Sequence, residues 1–126
     1  MIERRDQMAQ AVSHARALQT VQWASLNKTA ARQPEYDATL IRGCLDHLAA
    51  QRQGWWKFFS DHKLTPYRVD YDAFIAAPDA TVQRLLDQTG FPRQPASPVS
   101  LPETRRQSDG INVDWIERFK PEIAGA

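Results

Sequence analysis

Residues 4–23 read Arg4-Arg5-Asp6-Gln7-Met8-Ala9-Gln10-Ala11-Val12-Ser13-His14-Ala15-Arg16-Ala17-Leu18-Gln19-Thr20-Val21-Gln22-Trp23. The short Asp6 carboxylate suits the free N–H groups of a first helical turn, so the pattern predicts a helix from Asp6 to about Ala24. Met8, Ala11, Val12, Ala15, Leu18, Trp23 and Leu26 share one arc at about 100° per residue, which is a packing stripe. The opposite side, Ala9, Ser13, Ala17, Thr20 and Ala24, is small, and Arg16 is the one formally charged residue between Met8 and Ala24. A helix with so little charge expects neighbours on most sides and reads as buried between layers.

The start of this helix also carries chemistry. An arginine just before a helix start stands beside exposed N–H groups and the positive end of the helix dipole, which favour an anion, and its planar fork suits a phosphate. Ser13, about two turns in, can add a hydroxyl donor on the small-residue face. On spacing alone, an arginine and a serine near a helix start usually mean a solvated cap.

Downstream, Ser25 to Pro34 is a polar connection, and a second helix is expected from about Tyr36 to Asp61. Its stripe is Leu40, Ile41, Cys44, Leu45, Leu48, Trp55, Phe58 and Phe59, with Arg52 inside it as a snorkelling side chain, a buried ion pair or a ligand contact. Pro66 to Tyr71 alternates like a single strand, with Tyr67, Val69 and Tyr71 on one face. A lone strand leaves its backbone donors and acceptors unpaired, so it calls for a partner. One helical turn over Asp72 to Ala76 and a helix opened by Pro78, packed by Val82, Leu85 and Leu86 and closed by Gly90, follow. Residues 91–111, with Pro92, Pro95, Pro98 and Pro102, read as an extended loop ending in an Asp109-Gly110 turn. A last helix is expected over Val113 to Phe119, packed by Trp115, Ile116 and Phe119 and stopped by Pro121.

The chain has 126 residues, 42% hydrophobic and 25% charged, with 16 basic against 15 acidic residues. This is a normal globular composition that makes no case for nucleic acid as a partner. Cys44 is the one cysteine, so neither an intramolecular disulfide nor a cysteine zinc site is available, and the default location is the reducing cytoplasm. The charged opening Met1-Ile2-Glu3-Arg4-Arg5-Asp6 lacks the apolar core of an export signal, and no apolar run approaches a membrane span. The first glycine is Gly43, so neither common glycine-rich phosphate loop occurs. His14, His47 and His62 are dispersed, and no metal motif or serine-nucleophile elbow is present; no metal is expected.

Arg-x7-Ser, Arg5 to Ser13, resembles the 3′-phosphate motif of sulfotransferases that use 3′-phosphoadenosine 5′-phosphosulfate (PAPS). The longer wording from Arg4 to Trp23 is similar to the bacterial trehalose 2-sulfotransferase-like family. Gly54-Trp55-Trp56-Lys57-Phe58-Phe59 resembles that family's aromatic helix end, and Val69-Asp70-Tyr71-Asp72-Ala73-Phe74 its valine-x-tyrosine-glutamate-x-leucine strand. Arg105-Arg106-Gln107-Ser108-Asp109, with Trp115 beyond, resembles its C-terminal segment. Asp72 departs from the usual glutamate, which shortens any contact made there.

The resemblance implies a P-loop-like three-layer α/β fold, present here as a mainly α-helical C-terminal part with one clear strand. It also implies a strand, a 5′-phosphosulfate loop, a helix and the general-base carboxylate ahead of Met1, and a strand directly before Arg5 of which Met1, Ile2 and Glu3 remain, so residues 1–126 are expected to be a partial domain, weakly active or inactive alone and without a catalytic residue of its own. Arg5 and Ser13 would hold the 3′-phosphate of PAPS or adenosine 3′,5′-bisphosphate. Tyr71 is a candidate adenine contact or a core tyrosine, and Arg105 and Arg106 are a second phosphate clamp or a solvated basic pair. Trp23, Trp55, Trp56 and Trp115 read as packing residues. The implied partners are the nucleotide sulfate donor and a hydroxyl acceptor on a carbohydrate or glycolipid, and a homodimer is allowed for. The alternative is a non-catalytic helical module that dimerises through uncovered apolar surface and the strand edge.

Overall fold

The computed structural model describes residues 1–21, 33–91 and 110–124. In chain order the described elements are β1 (Ile2–Glu3), α1 (Gln7–Thr20), α2 (Ala38–Asp61), β2 (Val69–Asp70), α3 (Tyr71–Ala76), α4 (Pro78–Thr89) and α5 (Gly110–Ala124). They fall into two compact units, one of Met1–Arg5 with Phe59–Pro102, the other of Asp6–Phe58 with Glu103–Ala126.

The helical unit is built on α1, most of α2, and α5. Asp6 caps α1 as expected, its Oδ1 accepting from the Ala9 amide at 2.8 Å. The stripe reading holds at Ala11, Val12 and Ala15, which are buried with Ile41 and Cys44 of α2 and Trp115 and Phe119 of α5. Leu18 is exposed, while Trp23, Ala24 and Leu26 lie outside the described residues. The helix ends at Thr20, before the expected Ala24, because Val21 turns into the left-handed region at φ 56° and breaks the i to i−4 ladder. Asp37 delays the start of α2 to Ala38 by capping it, its Oδ1 accepting from the Leu40 amide at 2.9 Å. The Gln19 side-chain amide copies a backbone pairing with Glu35, donating to its carbonyl at 2.8 Å and accepting from its N–H at 2.7 Å. Arg52 is half-buried with its guanidinium against the Gln7 side-chain amide.

Two expectations fail in this unit. Pro121 does not stop α5, which runs from Gly110 to Ala124. The proline removes one donor to the Glu117 carbonyl on an exposed face where water can replace it, while tertiary bonds hold the last turn. Those bonds run to Glu122: its carboxylate accepts from the Tyr36 hydroxyl at 2.8 Å and its carbonyl from Arg42 Nη2 at 3.2 Å. The aromatic end of α2 is also less buried than its stripe implies. Trp55 is 55% and Phe58 43% exposed, set edge-to-face with centroids 6.0 Å apart, and Trp56 is exposed as well, whereas Trp115 is buried as expected.

The second unit corrects the single-strand expectation. β2 has a parallel partner, β1, in register Ile2 with Val69 and Glu3 with Asp70, so the chain has a two-stranded sheet among the described residues. The strand expected over Pro66–Tyr71 shortens to two residues because Asp70 caps α3, pulling Tyr71 into the helix as its first residue. Pro78 then opens α4, and Gly90 closes it at φ 72°, a backbone conformation that glycine adopts without a Cβ penalty. Of the expected loop over 91–111, residues 92–109 lie outside the described residues, and α5 already begins at Gly110.

Candidate functional site

The parallel pairing of β1 with β2 brings residues about 65 positions apart into a ladder of matched chemistry. At one rung the Glu3 carboxylate accepts from Arg68, at 2.7 Å from Nε and 2.5 Å from Nη2. One residue further on, the Arg4 guanidinium lies over the Tyr71 ring, 5.6 Å from its centroid, a cation–π contact. Beside it Arg5 Nε meets Asp70 Oδ2 at 2.5 Å. The arginine pair of the helix-start motif is thus fastened to the Val69-Asp70-Tyr71 strand end, joining two motifs that are remote in sequence.

Asp70 divides its carboxylate between two tasks. Oδ1 accepts from the Ala73 amide at 2.8 Å and caps α3, while Oδ2 takes Arg5. The amide bond first, and the Arg5 guanidinium after it, hold this carboxyl below the usual aspartate range. Its side chain is 21% exposed, against 84% for Arg5, so the carboxylate is recessed and the guanidinium stands out into water. Because Asp70 meets Arg5 at Nε, the two Nη groups remain as an outward edge that can accept a phosphate bidentately. Arg4 contributes an Nε that is buried without a hydrogen-bond partner, a donor still lacking its acceptor. This donor set fits an anionic phosphate.

Arg5 and Tyr71 are therefore brought together in one unit, with Tyr71 half-buried and one face of its ring under Arg4. Ser13 belongs to the other unit, half-buried on α1 next to buried Val12, and its hydroxyl makes no hydrogen bond to a described residue. Arg105 and Arg106 lie outside the described residues. Sequence reasoning missed Asp70 as a partner of Arg5 and passed over Arg4. The available signal was the short Met1-Ile2-Glu3 run before Arg5, which as a strand would pair with the strand ending at Asp70.

Elsewhere, the His14 and His47 rings stand 6.3 Å apart between α1 and α2, with His47 Nε2 3.0 Å from Gln51 Nε2. No group of three or more His, Cys, Asp or Glu among the described residues can hold a metal ion. No helix among them is long and apolar enough to cross a membrane.

Comparison with known proteins adds to this geometry. A model of the Stf0 sulphotransferase family matches residues 1–122. The chain is similar to a trehalose 2-sulfotransferase of Mycolicibacterium smegmatis, 32% identical over 121 residues that cover 94% of this chain and 44% of that protein. It is also similar to a trehalose 2-sulfotransferase of Mycobacterium tuberculosis, 28% identical over 122 residues, covering 96% of this chain and 45% of that one. The chain spans a little under half the length of these relatives.

Proposed function

The chain belongs to the Stf0 sulphotransferase family, and we propose that it carries the nucleotide-holding part of a site that transfers a sulfuryl group from PAPS to a hydroxyl of a carbohydrate or glycolipid. The observation that carries this reading is the fastening of Arg5, with its outward Nη edge, to Asp70 beside the Arg4–Tyr71 pair. In this reading Arg5 and Ser13 donate to the 3′-phosphate, following the Arg-x7-Ser wording of the motif. The adenine stacks on Tyr71, either on the face opposite Arg4 or in place of it, and Arg105 and Arg106 form a second phosphate clamp. When bound, PAPS supplies the sulfuryl group and leaves as the bisphosphate. The fixed guanidinium charges of this chain favour the phosphate groups of that nucleotide throughout. The lone thiol Cys44 agrees with a reducing cytoplasm as the setting.

Calorimetric titration of the full chain with adenosine 3′,5′-bisphosphate tests the reading. Heat of binding that R5A abolishes is the expected result, and no heat from the unsubstituted chain overturns it. A second reading, a dimerising module, is favoured by the exposed Trp55, Trp56 and Phe58 at the end of α2. A concentration-dependent dimer in light scattering, indifferent to nucleotide, is the result that selects it.

A further inference from the structure

We infer that Asp70 is a positioning residue for nucleotide recognition: it acts through Arg5, setting which edge of that guanidinium meets the 3′-phosphate. This rests on the reading of Arg5 as a phosphate donor and deepens it. The long arginine side chain, 84% exposed and anchored at its base only by the backbone, samples many rotamers unless something holds its head. Asp70 holds it at Nε, and Asp70 is itself immobilised: its other oxygen is committed to the Ala73 amide, and its backbone to the pairing of β2 with β1. A guanidinium offers two edges for bidentate contact, one through Nε and one Nη, the other through both Nη groups. By taking Nε, Asp70 consumes the first edge and turns the second outward. A phosphate then binds without displacing the carboxylate, and the loss of arginine freedom has already occurred on folding. The negative charge of Asp70 opposes the phosphate only weakly, because its Oδ2 is already paired with Arg5, whose 84% exposed side chain would meet the phosphate in water that screens the charge. The same carboxylate starts α3 at Tyr71, so the arginine and the aromatic ring are referred to one fixed point.

The test uses the full chain and two substitutions, D70N and D70S, which both keep an oxygen able to cap α3 but remove the carboxylate. Circular dichroism checks that helix content is retained, and calorimetry compares adenosine 3′,5′-bisphosphate with adenosine 5′-monophosphate. Both variants are expected to weaken the bisphosphate about fivefold, the upper end of what an exposed ion pair contributes, and to leave the monophosphate unchanged. A merely structural role for Asp70 would lower both affinities together, and that result overturns the assignment. Unchanged or tighter bisphosphate binding by both folded variants overturns it as well. If the unsubstituted chain binds no bisphosphate, the reading of Arg5 falls and the role of Asp70 falls with it; binding that D70N and D70S leave intact removes only the role of Asp70.

Discussion

Replacing Phe119 by alanine should remove more stability from the helical unit than any exposed change. Phe119 is completely buried among Ala11, Val12 and Ala15 of α1, Ile41 and Cys44 of α2, and Trp115 of its own helix, and it is one of the largest fully buried side chains. Returning such a ring to water costs about 1.5–3 kcal/mol by transfer alone. The cavity left where three helices meet cannot collapse fully, which raises the expected loss to about 3–5 kcal/mol. The Arg42 guanidinium, 5.7 Å from the ring centroid, loses its aromatic partner at the same time. Against a typical total of about 5–15 kcal/mol, the variant should be marginal at room temperature. Urea unfolding followed by far-ultraviolet circular dichroism measures this, with an unchanged denaturant slope expected for a pure stability effect. Ile123→Ala, at an exposed position on the same helix, is the control and should cost well under 1 kcal/mol. If Phe119→Ala costs no more than about 1 kcal/mol, comparable to the control, the ring does not sit at the junction of α1, α2 and α5 and the packing argument is wrong.

Asp6→Ala deletes the side-chain acceptor for the Ala9 amide and should cost about 1 kcal/mol, while Asp6→Ser should recover most of it, both read from the same urea transitions. The carboxyl of Asp70 is held below its ordinary value by the Ala73 amide and by Arg5, so its stabilisation is fully present above the unfolded value of about 3.9. That stabilisation is lost as pH falls through the lower folded value, and acid titrations should show D70N losing stability less steeply than the parent over this range. Burial raises the pKa of the Cys44 thiol, so at pH 8 iodoacetamide should label the native chain far more slowly than the urea-unfolded one; equal rates would contradict its burial.

The helices were largely legible in the residues because their signals are local. Asp6 at the start of α1, Pro78 and Gly90 at the ends of α4, and the burial of Ala11, Val12, Ala15, Trp115 and Phe119 all follow from caps and periodicity. Helix ends were less so. Pro121 should end a helix by its own chemistry, yet the Tyr36 and Arg42 contacts to Glu122 keep α5 going, and those contacts lie about 80 residues away in sequence. The exposure of Trp55, Trp56 and Phe58 was not legible for the opposite reason: an apolar stripe says that a face is suited to burial and cannot say how much of it is buried.

By itself, the sequence determined the family, the helical framework and the identity of Arg5, Ser13 and Tyr71 as residues to watch, because motif wording and side-chain periodicity are properties of neighbours along the chain. Only the tertiary structure decided that Ile2–Glu3 lies parallel to Val69–Asp70, and that Arg5 consequently rests on Asp70. Two residues of strand carry too little pattern to be recognised alone; their conformation is set by the hydrogen bonds of a partner some 65 positions away, and no local rule contains that partner.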